Sequence, residues 1–140
     1  MPNYDIRIHR GSLQGDLSFK KDGKEVFITK CSWDPKDKIN AGVYIWCTAT
    51  RMSRKKDSKF TLKNRPGIWI PRVPQYQEIF IHEGKLQNYD TVDKWSDGCI
   101  ILERKDMMRI WNSITPKNFR NVIVEITDEA SLKDFYLKNI

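Results

Sequence analysis

A chain of 140 residues, 39% hydrophobic and 11% aromatic, is long enough to bury its own core and falls outside the composition of disordered proteins. Its 25 Lys and Arg against 18 Asp and Glu leave a net charge of +7, which suits polyanionic partners such as nucleic acid, anionic lipid or acidic wall polymers, and equally a merely soluble surface. No apolar run approaches a membrane span, no basic-then-apolar leader opens the chain, and Cys31, Cys47 and Cys99 show no CxxC spacing for zinc or a dithiol pair.

In chain order, YDIRIHR alternates like a half-buried strand, which makes His9 structural. DLSFKKDGKEVFITKC sets Lys-Asp-Gly-Lys between two strand-like runs, a hairpin signal, and AGVYIWCTATRM is rich in β-branched and aromatic residues. Cys31 and Cys47 lie in or beside these apolar runs, where a buried, inert thiol is expected. A second hairpin is expected across the basic run RMSRKKDSK, from residues 45–50 to 59–63. That run is a solvated tip or a generic nucleic-acid patch, with no RNP, zinc-finger or helix-turn-helix pattern beside it.

RPGIWIPRVP carries Pro66, Pro71 and Pro74 and reads as an edge strand or an irregular extended segment. EIFIHEG is a strand and CIILE a shorter one. ERKDMMRIWNSI places Met107, Met108, Ile110, Trp111 and Ile114 on one helical face, with Pro116 just beyond its end. NVIVEIT is a strand, and DEASLKDFYLKNI a short terminal helix that Thr127 or Asp128 can cap. Residues 1–140 thus read as a single domain, mainly β with one or two helices packed on the sheet, a β-rich α+β fold.

Chemistry concentrates in IFIHEGKLQNYDTVDKWSDGCIIL. Cys99 follows His82 by 17 residues (99 − 82), enough chain to leave one strand and enter its neighbour with the two side chains meeting at the sheet's edge. A cysteine nucleophile needs a group that takes its proton and donors for the oxyanion it creates. His82 supplies the first; the amides of Gly98 and Cys99, at a loop-to-strand turn, could supply the second. A core histidine and an ordinary thiol fit the same spacing. Glu83, next to His82, reads as a solvated flank on the opposite face of its strand.

IHEG followed by SDGCI resembles the signature of the YkuD-like L,D-transpeptidases, in which a histidine near a glycine precedes a Ser/Thr-x-Gly-Cys element by a similar interval. The chain also resembles small phage and bacterial proteins related to that family, in which segments like INAGVYIW, IH-x-G and GCI-x-L follow in this order. The likeness runs from about Ile6 to Thr127. It implies an L,D-transpeptidase-like catalytic fold acting on peptidoglycan stem peptides without cofactor or metal, by hydrolysis or transpeptidation. Cys99 would form the acyl-enzyme and His82 would be its base, oriented by a backbone carbonyl; Gly98 and Cys99 would serve the oxyanion, Ser96 would shape the turn, and Gly84 would keep the approach open.

Two positions depart from the family motif. Asp97 stands where histidine is usual, and a carboxylate there opposes thiolate formation unless turned away or paired. Ile101 stands where Arg or Asn commonly holds substrate. Arg72, Arg104 and Lys94 are candidates to replace that contact, and Trp69, Tyr76, Tyr89 and Trp95 to wall the cleft, with plain packing the competing role for Trp69 and Trp95. The resemblance suggests a wall enzyme made in the cytoplasm without an export signal, acting in the periplasm or wall after delivery by a phage lysis system or secretion machine. An immunity or delivery protein would be its partner, with no specific nucleic acid. The alternative is a non-catalytic wall-binding or phage-structural module on the same fold.

Overall fold

The computed structural model describes residues 3–11, 14–34, 38–52, 64–73, 79–84, 86 and 99–129. They form strands β1 (Tyr4–Arg10), β2 (Gly15–Lys21), β3 (Lys24–Cys31), β4 (Gly42–Arg51), β5 (Pro66–Ile70), β6 (Ile79–Glu83) and β7 (Ile100–Leu102), helix α1 (Arg104–Ser113) and strand β8 (Val122–Asp128). One sheet runs in the order β3-β2-β1-β8-β4-β5-β6-β7. Its two end strands meet: Ser32, just past β3, and Ile101 of β7 exchange N–H···O bonds of 3.0 and 2.8 Å, giving the sheet a barrel-like closure.

The β2–β3 hairpin turns at Asp22 and Gly23, whose φ of 51° and 81° are the left-handed pair that a tight two-residue hairpin requires. Alternation then sorts side chains. Tyr4, Ile6 and Ile8 of β1, Leu17 and Phe19 of β2, and Val122, Val124 and Ile126 of β8 are all buried in one core. Each such aliphatic or aromatic side chain contributes about 1.5–3 kcal/mol by leaving water. Tyr4 and Phe19 stack with centroids 5.9 Å apart.

β5 overturns the expectation of an edge or irregular segment. It pairs with β4 on one side and β6 on the other. Pro66 occupies the strand's first position and Pro71 follows its last, so the imino acids bracket the strand while Gly67 to Ile70 keep the N–H groups that the ladders use. Residues 59–63, expected in the second hairpin, lie outside the described residues; β4 meets β5 instead.

Helix α1 buries Met107 and Ile110 and packs on β5 and β6 from the core side, where Ile68, Ile70, Ile79, Ile81, Ile100 and Leu102 point. The even-numbered positions of β6 therefore face the other way. Thr127 and Asp128, expected as caps of a terminal helix, belong to β8; that helix falls outside the described residues. The Asp128 carboxylate receives Arg10 at 2.6 and 3.0 Å, while the same guanidinium donates to the Ile39 carbonyl at 2.7 Å. Burial alone would raise the Asp128 pKa, but the hydrogen bonds and charge of Arg10 outweigh it and hold the carboxyl below its ordinary value.

Candidate active site

Register places the histidine and the cysteine. Across β5 and β6, Gly67 is opposite His82 and Trp69 opposite Phe80. β6 and β7 run parallel with Ile81 opposite Ile100 and His82 opposite Ile101, so the ladder continued by one residue sets Cys99 beside Phe80. Residues opposite one another share a face. Trp69, Phe80 and Cys99 thus form one row across the sheet, Gly67, His82 and Ile101 the next, all on the face away from α1. Met52, Phe80 and Cys99 pack there as a small apolar cluster, with Trp69 against them. This is a packing role for Trp69.

One strand spacing of about 4.8 Å and two residues of about 3.3 Å rise put the Cys99 and His82 backbones about 8 Å apart, a gap that a thiol and an imidazole reaching toward each other can close. Both residues are fully buried. The Phe80 amide lies 3.5 Å from Cys99 Sγ, a donor aimed at sulfur. His82 Nδ1 is 2.8 Å from the Glu83 carbonyl oxygen. A carbonyl only accepts, so Nδ1 carries the proton of the neutral ring and Nε2 carries the lone pair. The imidazole is thereby fixed in the tautomer that can take a proton from a thiol.

The backbone around His82 is braced. Gly84 donates its N–H to the Leu102 carbonyl at 2.8 Å, extending the β6–β7 ladder one step past the histidine. The Glu83 side chain leaves on the opposite face, as alternation requires, but it is no solvated flank. It is only 12% exposed, accepts a hydrogen bond from Arg65 at 3.0 Å and forms an ion pair with Arg104 at 3.6 Å. Burial of a carboxylate needs such partners. The pair of arginines pins the residue whose carbonyl orients His82. Arg104 is accordingly drawn to Glu83 rather than to the cysteine face.

Gly67 lines the candidate site although no motif marks it. A Cβ there would stand 3.1 Å from Met52 Cγ and 3.1 Å from Phe80 Cδ1, so the missing side chain is what lets the cluster close beside His82. The available signal was a lone glycine inside a strand, which marks close approach. Arg72 lies just past β5, at φ 65°, with its guanidinium 3.8 Å above the Trp46 ring. Ser96, Asp97, Gly98, Tyr76, Tyr89, Lys94 and Trp95 fall outside the described residues.

The other two thiols differ in setting. Cys31 and Cys47 are buried in the main core, and desolvation pushes each thiol up to about 12, with the Asp16 charge adding to the effect at Cys31. None of the three cysteines is in a disulfide. Among the described residues no group of three or more His, Cys, Asp or Glu side chains comes together to hold a metal, and no helix is long and apolar enough to cross a membrane.

A family model of the L,D-transpeptidase catalytic domain matches residues 18–126. Among solved structures, a cysteine-to-serine mutant of the Enterococcus faecium L,D-transpeptidase superposes with a TM-score of 0.52 at 22% identity, over 87% of this chain and 49% of that one. The avibactam carbamoyl enzyme of Ldtfm gives 0.57 at 20% identity, over 90% and 50%, and the L,D-transpeptidase from Mycobacterium smegmatis 0.51 at 10%, over 89% and 59%. At these identities the likeness is one of fold. The chain spans about half the length of the first two structures. A search of curated proteins finds no match to the sequence.

Proposed function

The chain belongs to the L,D-transpeptidase catalytic-domain family, and on that premise we propose that it is a cysteine-dependent enzyme acting on the stem peptides of peptidoglycan, with Cys99 as nucleophile and His82 as base. The observation that carries this reading is the pairing itself: His82 on β6 and Cys99 at the entry to the adjacent parallel strand β7, on one face, with Nδ1 anchored by the Glu83 carbonyl.

The chemistry follows from that arrangement. Nε2 of His82 takes the Cys99 proton, and the sulfur attacks a stem-peptide carbonyl, so that a C–S bond forms while the carbonyl π pair moves to oxygen. In this reading the amides of Gly98 and Cys99, just before β7, stabilise that oxyanion. The intermediate collapses with cleavage of the C–N bond; the imidazolium returns its proton to the departing amine and a thioester remains on Cys99. A second attack by water releases an acid, and attack by an amine forms a new cross-link. Both regenerate the thiol. The apolar cluster of Met52, Trp69 and Phe80 limits water around the sulfur, and the wall is the place where such a substrate is met.

Digestion of purified sacculi with wild type and Cys99→Ala, followed by mass analysis of the muropeptides, tests the reading. Shortened or uncross-linked stems made only by wild type mean hydrolysis; new cross-links or exchanged terminal residues made only by wild type mean transpeptidation. Identical profiles from the two proteins would refute the catalytic reading and leave a wall-binding module.

A further inference from the structure

Two non-glycine residues on neighbouring chain segments adopt the left-handed conformation and touch. Trp46 has φ 62° and Arg72 φ 65°, and the Arg72 guanidinium lies 3.8 Å above the Trp46 ring centre. Arg120 approaches the same ring at 5.9 Å. An L side chain is strained in this region, most of all a bulky one, and strained residues persist only where the surrounding structure holds them in place.

The hold on Trp46 is visible. β4 shifts register against β8 between Tyr44 and Cys47. Cys47 Sγ donates to the Tyr44 carbonyl at 3.3 Å and Thr48 Oγ1 to the Trp46 carbonyl at 3.1 Å, which fixes the bulge and leaves the indole 42% exposed. Bulges of this kind re-aim a side chain.

The position relates directly to the cysteine. Thr48 is opposite Trp69, so Thr48, Trp69, Phe80 and Cys99 form one row, and Trp46 with Arg72 lies just beyond it, on the side away from His82. Two strand spacings and no more than three residues of rise put the Arg72 backbone at most about 14 Å from that of Cys99, within the span of about four extended residues. One short peptide can lie across both.

Charge gives the class of ligand. Arg10, Arg65 and Arg104 are each paired with a carboxylate of the protein. Among the described residues neither Arg72 nor Arg120 has such a partner; both are exposed and share the indole instead. An exposed guanidinium held over an aromatic ring without a carboxylate partner keeps N–H donors for a ligand, and its planar fork matches a carboxylate in two parallel hydrogen bonds. We propose that Trp46, Arg72 and Arg120 form an anchor for a carboxylate of the peptide substrate, which lays the chain across the row of Cys99. The anchor rests on the stem-peptide reading above and adds to it the group by which the peptide is held.

The test is calorimetric binding of a synthetic stem peptide with its carboxylates free, and of the same peptide fully amidated, to wild type, Arg72→Gly and Arg120→Gln. Glycine suits the positive φ at position 72, which offsets the lost ring contact, and a urea midpoint measured on each variant checks that it is folded. Wild type is expected to favour the free acid by tenfold or more, and both variants to bind acid and amide within about twofold of each other. Equal binding of the two peptides by wild type, or an acid preference that survives in both variants, overturns the anchor. The rate of Cys99 alkylation by iodoacetamide, measured on the same proteins, separates the two readings. If Cys99 reacts as slowly as Cys31 and Cys47 while the acid preference is lost only in the variants, the nucleophile is wrong and the anchor stands.

Discussion

At the scale of single residues, the arrangement around His82 works through backbone and through an absent side chain. The Glu83 carbonyl sets the tautomer, and Gly67 gives the room in which Met52 and Phe80 close against the row of Cys99. A branched side chain at position 67 must push these neighbours outward. Gly67→Val is expected to destabilise by about 1–3 kcal/mol and to lower turnover further than the lost folded fraction explains, as read by urea titration alongside muropeptide release. Unchanged turnover per folded molecule would mean that this packing does not position the site. Arg10 is a second case, a guanidinium 2% exposed whose only carboxylate partner among the described residues is Asp128. Asp128→Ala leaves that charge buried and unpaired. The expected loss is about 2–3 kcal/mol, less than for a fully enclosed pair because the Asp128 side chain is 38% exposed, and a urea midpoint equal to that of wild type would contradict it.

At the scale of elements, β5, β6 and β7 carry the site on one face and the helix on the other. Ile110 of α1 is fully buried against the side of the sheet that backs the site. Ile110→Ala should cost about 2–4 kcal/mol, measured by denaturant unfolding, and a loss below about 1 kcal/mol would show that α1 is not a packing support. Much of this layer was legible beforehand. Asp22-Gly23 announced a hairpin, EIFIHEG its strand, and the interval from His82 to Cys99 their placement on neighbouring strands. What escaped were facts that depend on distant chain. The prolines of β5 suggested an edge, because only the pairing with β4 and β6 reveals that they fall at the strand's two ends. Glu83 looked solvated because its partners Arg65 and Arg104 lie far off in sequence, and Gly67 matters only through Met52 and Phe80.

At the scale of the whole molecule, a closed sheet with two thiols sealed in its main core has a predictable response to alkali. Cys31 and Cys47 are raised by burial from 9.0 to about 12. The unfolded chain therefore loses these protons first. Stability is fully present below pH 9 and falls as pH rises toward 12, by about 1.4 kcal/mol per pH unit for each thiol at most. Urea midpoints between pH 8 and 11 should show this decline, and the double variant Cys31→Val with Cys47→Val should lose the larger part of it; the same slope in both proteins would assign the alkaline loss to other groups. The net charge of +7 acts differently, favouring association with anionic surfaces in general in a manner that salt weakens.

Acylation of Cys99 with His82 as its base can be read by intact-mass measurement on acid-quenched mixtures of the protein and a stem peptide. The expected result is an acyl adduct that maps to Cys99, is absent from Cys99→Ala, and forms at least a hundredfold more slowly in His82→Ala. Stem-peptide products released by Cys99→Ala at the wild-type rate, with no adduct on Cys99 in either wild type or His82→Ala, would contradict it.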